Sequence, residues 1–366
     1  MKSNYRALSE LIEKVDERND DGAITELIGV SIDKCFIKSV ANTNGTDLSK
    51  YKIIRKNEFA VSLMQVSRDS KIPVARLEDY EVAIMSPAYP IFRVKDTRKI
   101  LPEYLDMWFK RPEFDREAAF IAVGGVRGSM PWEEFVKMKL PVPTIEKQLE
   151  IVNSYKAITE RIALKQKIND NLDATIYAKF QDMFQKNKEI LFSGEQLEDW
   201  CIKPLSFLAD FKYGKMATSE ILCEKGFPVY SGYRTVGYCN KYMFKEPQLV
   251  VLARGVSGTG EVRISPPCCH LTNLSIAVLL YDRTYINYLL YYLENDNLIS
   301  LDSGSAQSQI TINDLSMHKV MLPPYSKVVE FDNIAKQLRS IIDENNKEIE
   351  VLEALKKVLL TTISSR

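Results

Sequence analysis

The tetrapeptide Leu322-Pro-Pro-Tyr325 stands one letter from the Asn/Asp-Pro-Pro-aromatic signature of enzymes that methylate base amino groups. In that chemistry the first residue accepts hydrogen bonds from the target amine, and the aromatic ring stacks on the flipped base. Leu322 has no acceptor atom, so the motif cannot do this work. Ser265-Pro-Pro-Cys268 fails at the other end, because Cys268 cannot stack as an aromatic would. Gly255, Gly258 and Gly260 follow a strand-like segment but run into a second alternating segment ended by Pro266 and Pro267. A nucleotide-binding loop would open a helix there, so the run reads as a turn. No GxxxxGK[ST], HExxH or GxSxG occurs. The chain has two histidines, His270 and His318, and Cys268-Cys269-His270 lacks the spaced pairs of a zinc site. Together with Cys35, Cys201, Cys223 and Cys239, these read as reduced cysteines. Glu133 and Glu134 suit the first turn of a helix. The expectation is no catalytic residue and no metal site.

The elements that position whatever the chain does instead come from a chain of 366 residues, enough for two or three domains. The composition, 45% hydrophobic and 27% charged, is that of a globular protein. The charged start MKSNYRALSELIEKV lacks a signal peptide's apolar region, and no window holds the ~18 apolar residues of a membrane span. A cytoplasmic protein is expected. Lys+Arg 49 balance Asp+Glu 49, which argues against coating nucleic acid by bulk charge. Residues 51–100 carry ten basic and six acidic residues, and 201–263 carry nine and five, an excess of +4 each. Such excesses mean little unless something else marks the same zones.

The sequence repeats itself. LPPYSKVVEFDNIAKQLRSIID aligns with VPTIEKQLEIVNSYKAITERIA at a displacement of 180, placing Pro323 on Pro143, Lys327 on Lys147, Glu330 on Glu150 and Leu352 on Leu172. The starts, RALSELI and KPLSFLA, align at 197, so the first copy is longer by 17 residues. A unit this long is a duplicated module and no solenoid. Each copy opens with alternating strand-like segments and a short helix and ends in a long helix introduced by proline. The boundaries fall at 1–142 and 196–322 for the mixed halves, and at 143–195 and 323–366 for the helical spacers.

Apolar positions in the second spacer step by fours and threes: Phe331, Ala335, Leu338, Ile342, Asn345, Ile349, Leu352, Lys356, Leu359 and Ile363. The first spacer offers Ile151, Tyr155, Ile158, Ile162, Lys165, Asn169, Leu172, Ile176, Lys179 and Met183. These are heptad seams with polar interruptions near the middle, as expected of two helices that pair and use those residues to fix register. The second seam spans about 48 Å at ~1.5 Å per residue, the length of a spacer.

These pieces resemble the specificity subunits of Type I restriction-modification systems, over essentially the whole chain. LPVPTIEKQLEIV matches the family's Pro-x-x-x-x-Gln helix entry, whereas MLPPYSKVVEFDNI keeps the proline but has Val328 in place of glutamine. YSGYRTVGYCNKYMF with VVLARGVSGTGEV, and SPAYPIFRVKD with ILPEYLDMWFKRPEFDR, are further family-like stretches. The resemblance implies an α+β fold of two mixed α/β target recognition domains, separated by two long antiparallel coiled-coil helices in a pseudo-twofold duplication. It implies a non-catalytic subunit that reads double-stranded DNA, each domain taking one half of a bipartite asymmetric target. The helices would set the gap and dock two methyltransferase subunits, which restriction-translocase subunits would join. S-adenosylmethionine, ATP and magnesium would belong to those partners, with no cofactor in this chain.

Base edges are read best by Arg, Lys, Asn and Gln, with Ser, Thr and Tyr adding phosphate contacts. The candidate DNA contacts are Gln65, Ser67, Arg68, Lys71 and Arg127 in the first half. In the second half they are Tyr230, Ser231, Tyr233, Arg234, Arg254, Ser257, Gln307 and Gln309. Arg127 aligns with Gln307 and Ser129 with Gln309, so the copies offer different readers at corresponding places. Ile151, Ile158, Ile162, Leu172, Phe331, Leu338, Ile342 and Leu352 are the candidate seam of the helix pair. Two alternatives stand beside this reading. A standalone DNA-binding or antirestriction module should leave no apolar positions exposed on the helices, and a scaffold without DNA should tolerate changes at Arg68 and Arg254.

Overall fold

The computed structural model describes residues 4–39, 47–64, 66–122, 128–192, 197–255, 258–301 and 309–363. The chain forms two compact units, one of residues 1–165 with 347–366 and the other of 166–346.

The first unit is built on an antiparallel sheet in the order Ile12–Val15, Ile91–Val94, Phe59–Val61, Val74–Arg76. Helices Pro102–Phe109 and Pro112–Ile121 each start with proline, whose missing N–H costs nothing in a first turn. Phe59 stacks on Phe92 at 5.2 Å, and Phe109, Phe114 and Phe135 close the core around them. The strand Tyr5–Ala7 pairs with Lys139–Pro141, tying the unit's start to the entry of the long helix Ile145–Phe180.

The second unit repeats this plan with Ala209–Tyr213, Ser275–Leu280, Leu249–Leu252 and Val262–Ile264. Its start, Cys201–Pro204, pairs with Lys319–Leu322. Another four-stranded sheet orders Leu222–Cys223, Thr235–Cys239, Phe227–Tyr230 and His270–Leu271, where the first unit has the separate pairs Ile28–Val30 with Phe36–Lys38 and Lys52–Arg55 with Val82–Met85.

Strand register shows where the 17 extra residues of the first copy lie. Ile12 faces Val94 as Ala209 faces Leu280, giving displacements of 197 and 186 for the first two strands. Phe59 faces Phe92 and Arg76 as Leu249 faces Val278 and Ile264, giving 190 and 188 for the other two. The tyrosine hydroxyls of Tyr104 and Tyr288 donate to the carbonyls of Pro141 and Met321, at 3.1 and 2.7 Å, placing these helices at 184. Length is therefore shed at successive connections, while the strands stay in register.

The two long helices, Ile145–Phe180 and Tyr325–Thr362, run antiparallel wherever they touch. In the first unit Arg161 and Lys165 reach Glu348 at 2.5 and 2.8 Å. Leu360 and Ile363 there enter the core beside Ile151 and Tyr155. In the second unit Asn345 Nδ2 donates to Asn169 Oδ1 at 2.8 Å, and Asn169 Nδ2 donates to Asn346 Oδ1 at 2.9 Å. Both Asn169 and Asn345 are buried, so the expected polar interruptions face each other. Phe331 is buried, Leu338 and Ile342 pack on the same core, and Ile158, Ile162, Leu172 and Leu352 are half-buried or buried. One stretch of the seam departs from its expected course. Past Ile176 the buried residues are Phe180 and Phe184, while Lys179 is exposed and Met183 only half-buried. The step of four accompanies a π-helical turn at Gln181–Gln185, which lets both rings meet Phe331 at 5.9 and 5.5 Å.

The glutamine present in one copy and absent in the other has a local cause. Buried Gln148 accepts from the Leu101 N–H and donates to the carbonyls of Lys99 and Pro143, each at 2.9 Å. Val328 occupies the corresponding place in the second unit as part of an apolar core. Gln148→Val should therefore destabilise the first unit by about 1–3 kcal/mol, since it strands buried backbone groups. Denaturant unfolding of the full chain would measure this. Asn345→Ala, which leaves Asn169 without its buried partner, should cost a similar amount, whereas Asn169→Leu with Asn345→Leu should recover it in the same measurement.

Candidate nucleic-acid interface

In the first unit the central strand Phe59–Val61 runs out into a loop and a one-turn helix, Val66–Asp69. A second segment returns beside it, where the Met130 N–H donates to the Leu63 carbonyl at 2.8 Å. Gly128 has φ +72°, and a Cβ added there would lie 2.4 Å from Ser67 Oγ. Glycine permits this approach, so the two segments form one surface. Ser67 is half-buried in the contact, and Arg68 and Lys71 are exposed. Asp69 clasps the Arg68 guanidinium at 2.8 and 3.3 Å, and that hydrogen bond, then the charge, raises the arginine's pKa. Lys71 lies 3.7 Å from Asp33. Gln65 and Arg127 fall outside the described residues.

The second unit repeats the arrangement at the same strand. The Ile310 N–H donates to the Ala253 carbonyl at 3.0 Å, and these residues take the places of Met130 and Leu63. Arg254 is exposed and is bridged through its backbone to half-buried Gln309. A third segment joins them, the turn Ser231–Arg234 of the hairpin Phe227–Tyr230 with Thr235–Cys239. The Ser231 hydroxyl donates to the Arg234 carbonyl at 3.0 Å and accepts from its N–H at 3.2 Å. The Ser275 hydroxyl, donating to the Ser231 carbonyl at 2.8 Å, fastens the turn beside the strand that leads to Arg254. Gly232, at φ +91°, has no room for a Cβ against Ser275. The turn presents Tyr233, 60% exposed, and the exposed Arg234.

Two of the expected readers are corrected by this geometry. Tyr230 is 8% exposed and packs with Val250, Cys269, Leu271 and Ala277, so its ring belongs to the core. Ser231 is equally buried, and its hydroxyl is committed to the turn. Both shape the surface that Tyr233 and Arg234 occupy. Ser257 and Gln307 lie outside the described residues. The equivalence of the two loops escapes alignment at 197 or 180, because the local displacement is 190. Its trace in the sequence is Val66-Ser67 against Val256-Ser257.

The remaining polar candidates have structural partners. His270 Nε2 lies 3.0 Å from the Lys215 carbonyl, Cys269 is buried, and His318 Nε2 lies 2.9 Å from Asp296. Among the described residues no three His, Cys, Asp or Glu side chains gather as a metal site, and no helix is long and apolar enough to cross a membrane.

Residues 197–354 match the family described as Type I restriction modification DNA specificity domain. The chain is 25% identical over 271 residues to the Type I restriction enzyme MjaVIII specificity subunit of Methanocaldococcus jannaschii, covering 63% of this chain and 62% of that one. It is 21% identical to the MjaIX specificity subunit of the same organism, over 71% of this chain and 68% of that one. The first match thus spans less than two thirds of the relative's length. In fold, the chain is similar to the Type I restriction-modification S subunit from M. genitalium, with a TM-score of 0.65 at 17% identity over 99% of this chain and 96% of that one. The matched domain lies in the second copy, the first copy has the same sheet order, loop hydrogen bonds and long helix, and the chain as a whole is similar to Type I restriction-modification specificity subunits.

Proposed function

We propose that the chain is the DNA sequence-specificity subunit of a Type I restriction-modification complex. The observation that carries this reading is the duplicated loop surface. Matching backbone hydrogen bonds, Met130 to Leu63 and Ile310 to Ala253, hold equivalent segments together while the side chains they present differ. One scaffold offering two sets of readers suits an asymmetric target in two halves. Ser67, Arg68 and Lys71 serve one half-site, and Tyr233, Arg234, Arg254 and Gln309 the other. The chain itself is non-catalytic in this reading. S-adenosylmethionine, ATP and magnesium work on partner subunits.

The long helices favour a partnered subunit over a standalone module. Val351, Leu355 and Val358 are 63%, 53% and 59% exposed and recur at i, i+4 and i+7 on one face of the second helix, beside the seam. Leu164 on the first helix is exposed as well. Such a stripe is a docking face for protein, here for two methyltransferase subunits, with restriction-translocase subunits completing the assembly.

Co-expression with a cognate methyltransferase, followed by single-molecule sequencing of adenine methylation in host DNA, tests the reading. A bipartite methylated motif that appears only when this chain is present is the expected result. A stable complex that leaves DNA unmethylated would favour the scaffold. Val351→Asp with Leu355→Asp and Val358→Asp should abolish co-purification of the methyltransferase, while each change moves the unfolding free energy by only about 0.5 kcal/mol.

A further inference from the structure

The two basic zones have the same excess of charge and opposite fates in the fold. In the first zone eight of the ten cations, Lys52, Arg55, Lys56, Arg68, Lys71, Arg76, Arg93 and Arg98, are ion-paired, and the exposed Lys95 and Lys99 have no carboxylate within ion-pair distance among the described residues. Asp16, Glu17, Asp33, Glu13 and Glu103, which lie outside that zone in sequence, supply many of the acids. Acids gathered by the fold thus offset most of the local excess. In the second zone Arg263 is paired, with Glu261 and Glu294. Lys212, Lys215, Lys225, Arg234, Lys241, Lys245 and Arg254 are exposed, and none has a carboxylate within ion-pair distance among the described residues.

Several of these cations frame one element. The hairpin Phe227–Tyr230 with Thr235–Cys239 carries Arg234 at its turn. Lys225 and Lys241 sit at its opposite end, where their carbonyls accept from the thiols of Cys223 and Cys239 at 3.0 and 3.2 Å. Between them Val236 and Tyr238 alternate along the strand, 54% and 46% exposed. A strand of this length covers roughly 17 Å at ~3.4 Å per residue, which spans several phosphates of a duplex.

We propose that the second unit is the phosphate anchor of the chain, its hairpin gripping the duplex backbone through unpaired cations, while the first unit, most of whose zone is ion-paired, contributes less counterion-releasing charge. This rests on the functional reading above and adds a division of labour within it. A phosphate approaching one of the paired cations of the first unit must displace a carboxylate already in place, and the gain is correspondingly small. On the hairpin, each contact releases condensed counterions from DNA outright.

The test compares two triple variants of the full chain in complex with its methyltransferase. Binding to a labelled random-sequence duplex is followed by fluorescence anisotropy between about 50 and 200 mM salt. K225Q/R234Q/K241Q should lower the slope of log affinity against log salt by roughly 2 to 3, at about 0.9 per lost phosphate contact. K56Q/R93Q/R98Q, which removes exposed but paired cations from the first unit, should change it by less than about 1. Equal losses from both triples, or an unchanged slope in the hairpin triple, would overturn the anchor assignment and leave the specificity function standing. Absence of any salt-dependent duplex binding by the wild-type complex would overturn the functional reading, and the anchor with it. Thermal melting and retained capture of the methyltransferase confirm that each triple is folded.

Discussion

The core of each unit takes in a segment of the other copy's long helix. Leu360 and Ile363, at the end of the chain, are buried among the residues that pack under the first sheet. Ile176, Phe180 and Phe184, near the end of the first copy, are buried beneath the second. Each core is thus completed by residues of the other copy, so folding of one copy draws on part of the other. Pairing of the long helices is therefore a condition of the fold. It also explains why polar residues are tolerated in the seam: Asn169 and Asn345 satisfy each other, and a slip in register would bury them without partners.

The duplication and the helix seams were legible in the sequence because each depends on spacing along the chain. What escaped depends on contacts between distant segments. The change of seam from Lys179 to Phe180 is decided by rings that meet Phe331 across the pair, and a heptad count has no view of them. Tyr230 carries the chemistry of a reader, yet a register shift after Val229 buries both residues and packs the ring into the core, leaving Tyr233 on the turn to face outward. The equality of the two charge zones conceals their different pairing for the same reason. Net charge per window ignores that Glu13, Glu17 and Asp33 fold back on the first zone.

The bonds shared by the copies are mostly ones that sequence change cannot reach. Met130 to Leu63 and Ile310 to Ala253 join backbone to backbone, so the bonds themselves ask of the four side chains only that they be apolar enough for the core. Tyr104 and Tyr288 use a side chain, but their acceptors are main-chain carbonyls of Pro141 and Met321. A framework held this way allows neighbouring loops to change length and chemistry at little cost, since loop closure entropy grows only slowly with length. The steps in displacement, from 197 through 190, 188, 186 and 184 to 180, record that freedom: every gain or loss falls between strands and none within one.

That freedom has a limit where loops must touch. Gly128 against Ser67 and Gly232 against Ser275 are approaches that a Cβ would block, and both sit beside the segments that present the candidate readers. A reading surface assembled from two or three loops needs them to pack on each other, or an exposed arginine would sample many directions and discriminate none. Glycine at these contacts, with the clasp of Ser275 on Ser231, gives the loops rigidity without adding side chains that would compete for the surface. Variation and precision are thus assigned to different atoms: the tips vary, and the points where the loops meet are held by backbone and by the smallest residues.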